Sequence, residues 1–183
     1  MDLSGWTFEL KYDGYRGILY YEQGACRLMS KKNRRLAFPM LERSLANVIK
    51  KKARTLILDG EVCSFDDTGK PVFENLQRRK GIIAYMGFDV LFHNGKDLRD
   101  TPLWQRRELL LWLIGTPQTP PILRATQITD SVDQFFKRVV EEDLEGLVAK
   151  HKDGLYRPPS TRWYKLLNPS YSQTVYKRKV FRR

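Results

Sequence analysis

Apolar and polar positions alternate along the first thirty residues and then change period. Thr7 to Arg16 and Ile18 to Tyr21 read as strands around Gly14 and Gly17, and Ala25 to Ser30 follows the turn at Gln23-Gly24, so the chain opens as a β meander. From Pro39 the apolar residues Leu41, Leu45, Val48 and Ile49 recur at helix spacing, and Lys50, Lys51 and Lys52 mark the C-terminal end, where positive charge suits the helix dipole. Thr55 to Leu58 is a short apolar strand that stops at Asp59-Gly60-Glu61, and Val62 to Phe65 is a second strand leading to the turn Asp66 to Gly69. A short basic helix over Glu74 to Lys80 precedes a buried strand from Ile82 to Phe92, closed by Asn94-Gly95.

The second half reads as two helices and two strands. Thr101-Pro102 starts a helix with proline at its first position, and Gly115 stops it; Thr116 to Pro121 is a proline-rich connector. Asp130 caps a further helix, with Asp133 in the capping-box position and a core stripe of Val132, Phe135, Phe136, Val139 and Val140. Glu145 to Lys150 and Trp163 to Leu167 are strand-like, separated by Gly154 and Pro158-Pro159. Strands and helices mix without a regular βαβ rhythm or an internal repeat, which predicts an α+β domain with mostly antiparallel sheets.

Composition narrows the class. At 183 residues, 42% of them hydrophobic, the chain suffices for one domain with a substantial core. Leu109 to Ile114, the longest apolar run, is far too short to cross a bilayer, and a soluble, intracellular protein is expected. Cys26 and Cys63 lack disulfide density and metal-ligand spacing, and His93 and His151 stand apart, so both cysteines read as packing residues and no zinc set emerges.

A net charge of +12 points to nucleic acid, because the excess is clustered. The clusters are Lys31-Lys32 with Arg34-Arg35, Lys50 to Lys52 with Arg54, Arg78-Arg79-Lys80, and the tail from Lys177 to Arg183. The set at Lys50 to Lys52 reads as a solvated helix end. Each phosphate neutralised by such residues adds about −0.9 to the log–log salt slope of duplex binding.

The candidate chemistry sits in Glu9-Leu10-Lys11-Tyr12-Asp13-Gly14-Tyr15-Arg16. On an extended segment Glu9, Lys11 and Asp13 share a face. With an ordinary pKa of about 10.4, a lysine is a poor nucleophile at neutral pH, and two carboxylates alone make it poorer, so further positive charge is required. Taken alone, the octet reads best as a surface ladder with a hairpin glycine. Three more charged strand ends change that reading: Asp59 to Glu61, Glu145 to Lys150, and Trp163 to Lys165. Gathered in one cleft, they offer an amine, carboxylates for a divalent metal, cations for phosphates, and Phe88 as a stacking surface. Trp163 reads as core, and Asp59 and Asp89 as partners for backbone or arginine groups.

In this order the segments resemble the covalent nucleotidyltransferases, and most closely the adenylation domain of bacterial ATP-dependent DNA ligases. Phe38-Pro39, Phe73 to Arg79, Gly95 to Arg99, Pro102-Leu103 and Arg106-Arg107 extend the resemblance over nearly the whole chain. It implies a nucleotidyltransferase-type α+β fold with sheets flanked by helices around a nucleotide cleft, with residues 1–175 as the adenylation domain and 176–183 as a basic tail. It implies ATP and Mg²⁺ or Mn²⁺ as cofactors, and attack of Lys11 on the α-phosphate to give a lysyl-AMP intermediate. AMP then passes to the 5′-phosphate of a nick in double-stranded DNA, and the 3′-hydroxyl displaces it.

By the same resemblance Glu9 helps read the adenine amino group, Arg16 and Glu61 hold the ribose, and Phe88 stacks on adenine. Asp13 and Glu145 act through metal. Lys165 contacts the α-phosphate and assists Lys11, and Lys31 takes the place of an arginine that grips the nick 5′-phosphate. Lys150 matches the motif, yet strict alternation from Glu145 puts it on the opposite strand face, so a structural salt bridge and a site contact stand equally. Two departures follow. A second lysine of the pattern is Leu167 here, and only 18 residues follow Lys165, too few for an OB-fold domain. Self-adenylation is therefore expected to be slow, with an OB-fold or repair protein as partner to a monomer acting in the cytoplasm at the bacterial nucleoid. A silent nick-binding relative and an RNA ligase are the alternatives, the latter distinguished by a ribose 2′-hydroxyl at the break.

Overall fold

The computed structural model describes residues 3–115, 119–128, 131–157 and 163–174. Its strands are β1 (Trp6–Leu10), β2 (Tyr15–Glu22), β3 (Ala25–Ser30), β4 (Thr55–Phe65), β5 (Ile82–His93), β6 (Lys96–Asp97), β7 (Ile122–Arg124), β8 (Gln127–Ile128), β9 (Gly146–His151) and β10 (Trp163–Leu167). The helices are α1 (Pro39–Ile49), α2 (Phe73–Gln77), α3 (Leu103–Ile114) and α4 (Val132–Glu141). They build two sheets. One has the order β10-β9-β1-β8, and the other runs β3-β2-β4-β5-β6 with β7 added beside β5. Every pairing is antiparallel except β5 with β7, so the expected α+β class with mostly antiparallel sheets holds.

Each sheet has its own core. Leu19, Leu28, Leu58 and Val90 of the larger sheet pack with Leu41 and Leu45 of α1 and Leu110 and Leu113 of α3. Phe8, Leu147 and Ala149 of the smaller sheet pack with Val139 of α4. A third cluster, Tyr12, Cys63, Phe65, Ala84, Met86 and Ala125, joins the sheets beside the β1–β2 connection. Both cysteines are free and buried.

Several boundaries differ from the sequence pattern. The strand expected over Thr7 to Arg16 breaks at 11–14, because β1 belongs to the smaller sheet and β2 to the larger one. The chain must cross between sheets there. Gly14 permits the crossing: a Cβ at this position would lie 2.1 Å from the Val62 carbonyl oxygen. Conversely, the two strands expected around Asp59 to Glu61 are one continuous strand, with register shifts between Ile57 and Leu58 and between Asp59 and Gly60. A bulge absorbs the irregularity without ending the strand.

The helix expected from Pro102 begins at Leu103, with Pro102 as its N-cap, and Ser131 is the N-cap of α4. Val140 is 38% exposed rather than core, since α4 lays only Val139 fully onto the sheet. Asp130, Pro158-Pro159 and the basic tail expected at 176–183 lie outside the described residues, as do residues 116–118 of the connector.

Candidate active site

Crossing from one sheet to the other places the β1–β2 connection at the seam between them, and a cleft of about 250 Å³ opens there. Glu9, Lys11, Arg16, Lys31, Glu61, Phe88, Lys150 and Lys165 all line it, together with Trp163. Strand register explains the convergence. In the smaller sheet Glu9, Val148 and Lys165 stand directly opposite one another across β1, β9 and β10, and Lys150 and Trp163 form the adjoining row. In the larger sheet Arg16 stands opposite Glu61 across β2 and β4. Directly opposed residues share a face, so each sheet turns one charged row to the cleft.

At the centre Lys11 Nζ donates to Glu145 Oε2 at 2.5 Å, and the Lys11 backbone N–H donates to the Gly146 carbonyl at 2.9 Å. Glu145 precedes β9, and Gly146 at φ +147° redirects the chain between them, so alternation counted from Glu145 misplaces Lys150. Lys150 makes the salt bridge, its Nζ donating to Glu9 Oε2 at 2.6 Å, and it also lines the cleft. Arg107 of α3 pairs with the other oxygen of Glu9. Burial pushes the Lys150 ammonium down to about 7, Arg107 and Arg16 adding to the shift while Asp89 and Asp59 oppose it. Burial, with Arg124 nearby, also lowers Arg107 to about 10.

Arg16 is held by a two-pronged ion pair, its Nε donating to Asp59 Oδ1 at 2.6 Å and its Nη2 to Oδ2. Tyr156 adds a hydrogen bond to Asp59 at 3.0 Å. The guanidinium lies 5.7 Å from the Phe88 ring centre and 5.2 Å from that of Trp163, and the Lys150 ammonium lies 5.3 and 4.4 Å from the same rings. Trp163 is therefore a wall of the cleft and not a core residue, because its place opposite Lys150 on β10 points it there. Asp59 and Asp89 are arginine partners, the latter fully buried against Arg106.

Asp13 is buried beside the cleft and accepts a 2.8 Å hydrogen bond from the Tyr171 hydroxyl. Burial pushes the Glu61 carboxyl up to about 7; Lys11 and Arg16 pull it back, and Glu145 and Asp13 add to the rise. Asp13, Glu61 and Glu145 thus feel one another around one amine. No group of three acidic, histidine or cysteine residues among the described residues forms a protein-only metal cage. The donor set nevertheless suits Mg²⁺, which binds through one or two carboxylates together with substrate phosphates and water. Lys31 and Lys165 are exposed and take no ion-pair partner among the described residues, so their charge is available to phosphates.

Tyr156, Trp163 and Tyr171 were not singled out as site residues by sequence. Each acts across a long separation, Tyr171 lying 158 positions from Asp13, and no local pattern carries that information. A larger groove of about 1140 Å³ lies between the smaller sheet and α4, but its lining is dominated by Trp6, Phe8, Ile128, Val132 and Leu166, with no converging set of titratable groups.

A family model described as the ATP dependent DNA ligase domain matches residues 1–166. The multifunctional non-homologous end joining protein LigD of Pseudomonas aeruginosa is 32% identical over 169 residues, covering 88% of this chain and 20% of that protein. The LigD repair protein of Mycobacterium tuberculosis is 34% identical over 160 residues, covering 85% of this chain and 20% of its own length. The chain thus spans about a fifth of these relatives. The crystal structure of the ligase domain from M. tuberculosis LigD superimposes with a TM-score of 0.76 at 30% identity, covering 88% of this chain and 53% of that one. A mycobacterial DNA ligase D complexed with ATP and MES gives 0.74 at 30% identity, covering 87% and 53%.

Proposed function

Since the chain belongs to the ATP dependent DNA ligase domain family, we propose that it is the nucleotidyltransferase core of a DNA ligase, forming lysyl-AMP at Lys11 and passing AMP to the 5′-phosphate of nicked duplex DNA. The observation that carries this reading is the convergence of Lys11, Glu61, Arg16, Lys150 and Lys165 on one cleft, from strands far apart in sequence.

In the first step Lys11 Nζ, having given up a proton, bonds to the α-phosphorus of ATP as the bond to the pyrophosphate oxygen breaks. A 5′-phosphate oxygen at the nick then displaces the lysine, and the 3′-hydroxyl, losing its proton, displaces AMP to seal the strand. Catalysis of this kind rests on positioning and on stabilising charge. In this reading Arg16, immobilised by Asp59, holds the ribose with Glu61, and Phe88 is the adenine surface; their shared cleft supports it. Glu9, fixed by Lys150 and Arg107, is the residue that meets the adenine amino group in this reading. Lys165 faces the phosphates, and Lys31 the nick 5′-phosphate. Asp13 and Glu145 would hold Mg²⁺ or Mn²⁺. When bound, such an ion supplies positive charge that competes with the amine for Glu145 and stabilises the phosphates.

An OB-fold domain or repair protein would complete the site over the triphosphate. The protein would act as a monomer in the cytoplasm, at the nucleoid.

Incubating the chain with α-labelled ATP and Mg²⁺, followed by denaturing electrophoresis, should give a labelled adduct that Lys11→Ala abolishes. Sealing of a nick adenylated in advance should be seen in parallel. No adduct from the wild-type chain, or an adduct that survives Lys11→Ala, would overturn the reading.

A further inference from the structure

Segment 168–174 follows β10 and joins both sides of the seam. Its first foot rests where β9 begins: the Asn168 backbone N–H donates to the Glu145 carbonyl at 3.0 Å, and its side-chain amide to the Leu144 carbonyl at 2.9 Å. Ser172 binds Asp143 with its backbone N–H at 2.8 Å and its hydroxyl at 2.6 Å. The second foot rests on the larger sheet's side, where the Gln173 amide accepts from the Phe73 N–H at 2.8 Å and donates to the Pro71 carbonyl at 3.4 Å. Between the feet Tyr171, 5% exposed, reaches Asp13, 1% exposed.

We propose that Tyr171 is a positioning residue for nucleotidyl transfer, its hydroxyl fixing the direction of the Asp13 carboxylate beside Lys11. This rests on the function proposed above. The same segment that carries Tyr171 grips the backbone of Glu145, the ion-pair partner of Lys11, so one strap sets both carboxylates assigned to the metal. A buried tyrosine hydroxyl needs some acceptor merely to pack. Here that acceptor is the Asp13 carboxylate, two residues from Lys11 in the chain, and a charge-assisted bond of this kind is directional and strong.

Tyr171→Phe removes only the hydroxyl, and Gln173→Ala loosens one foot without touching Asp13. With the full chain, Tyr171→Phe should slow lysyl-AMP formation by about ten- to a hundredfold, the range for a hydrogen bond to a charged group. The ATP concentration for half-maximal rate should stay unchanged. Mn²⁺ binding, followed by electron paramagnetic resonance with an ATP analogue that cannot release pyrophosphate, should weaken in parallel. Gln173→Ala should keep near-wild-type values in both assays even where its melting temperature falls. The proposal fails if Tyr171→Phe matches wild type in rate and Mn²⁺ affinity, or if Gln173→Ala loses as much of both at equal thermal stability. Absence of any adduct in the wild type would instead count against the function, leaving the Mn²⁺ titration to decide this role.

Discussion

Glu61 shows how one residue can carry the tension of the site. It faces Arg16 across the β2–β4 pair and lines the cleft with Lys11, yet burial outweighs both cations and lifts its carboxyl to about 7 from an ordinary 4.5. The folded state therefore binds this proton more tightly than the unfolded chain. The contribution to stability is full below about pH 4.5 and is lost as pH rises through 7. Glu61→Gln cannot ionise, so between pH 4.5 and 8 wild-type stability should fall relative to the variant by at most about 3 kcal/mol, measured by urea unfolding. Parallel pH profiles of the two proteins would refute this. At Lys31 the relevant measurement is binding: Lys31→Ala should weaken the grip on a nicked duplex and make the log–log salt slope shallower by about 0.9, while an unchanged slope would show that the side chain meets no phosphate.

Among the elements, β10 is where the sequence departs from its family pattern. Lys165 and Leu167 lie two apart and so share a face, and Leu167 is 56% exposed opposite Gly146 at the edge of its sheet. An exposed leucine there contributes little packing. Leu167→Lys should leave the melting temperature within a few degrees of wild type and raise the rate of lysyl-AMP formation severalfold by restoring a cation on the phosphate-facing strand. A rate unchanged or lowered would show that a cation at this position does not govern adenylation. β4 illustrates the opposite case, in which a local irregularity is kept inside an element. The register shift beside Gly60 takes up an extra residue on the partner strand, Phe88 of β5, while Asp59 stays paired to Arg16 and Glu61 stays on the cleft.

For the molecule as a whole, the cleft exists because two sheets with separate cores meet at a seam that the β1–β2 and β7–β8 connections both cross. A site assembled from both sheets depends on their docking, and the cluster around Tyr12, Cys63 and Met86 lies where they join. The described basic clusters divide on the same scale. Arg35 pairs with Glu42 and Arg78 with Glu74, whereas Lys31 stays exposed at the cleft. Ion pairs thus occupy part of the basic surface, while Lys31 keeps its charge at the cleft.

The periodicity of apolar residues and the order of charged strand ends were enough to read the α+β class and most element positions, and the resemblance to the ligases named most of the charged residues that line the cleft. Both are local properties, written in spacing and residue type. Pairings across the fold were not legible in that way. The split of the first strand at Lys11, the double hold on Glu9 by Lys150 and Arg107, the turn of Trp163 into the cleft and the reach of Tyr171 to Asp13 follow from which strands become neighbours and in what register. Register depends on packing summed over whole sheets, so a single stretch of sequence holds no record of the partner that tertiary structure brings to it.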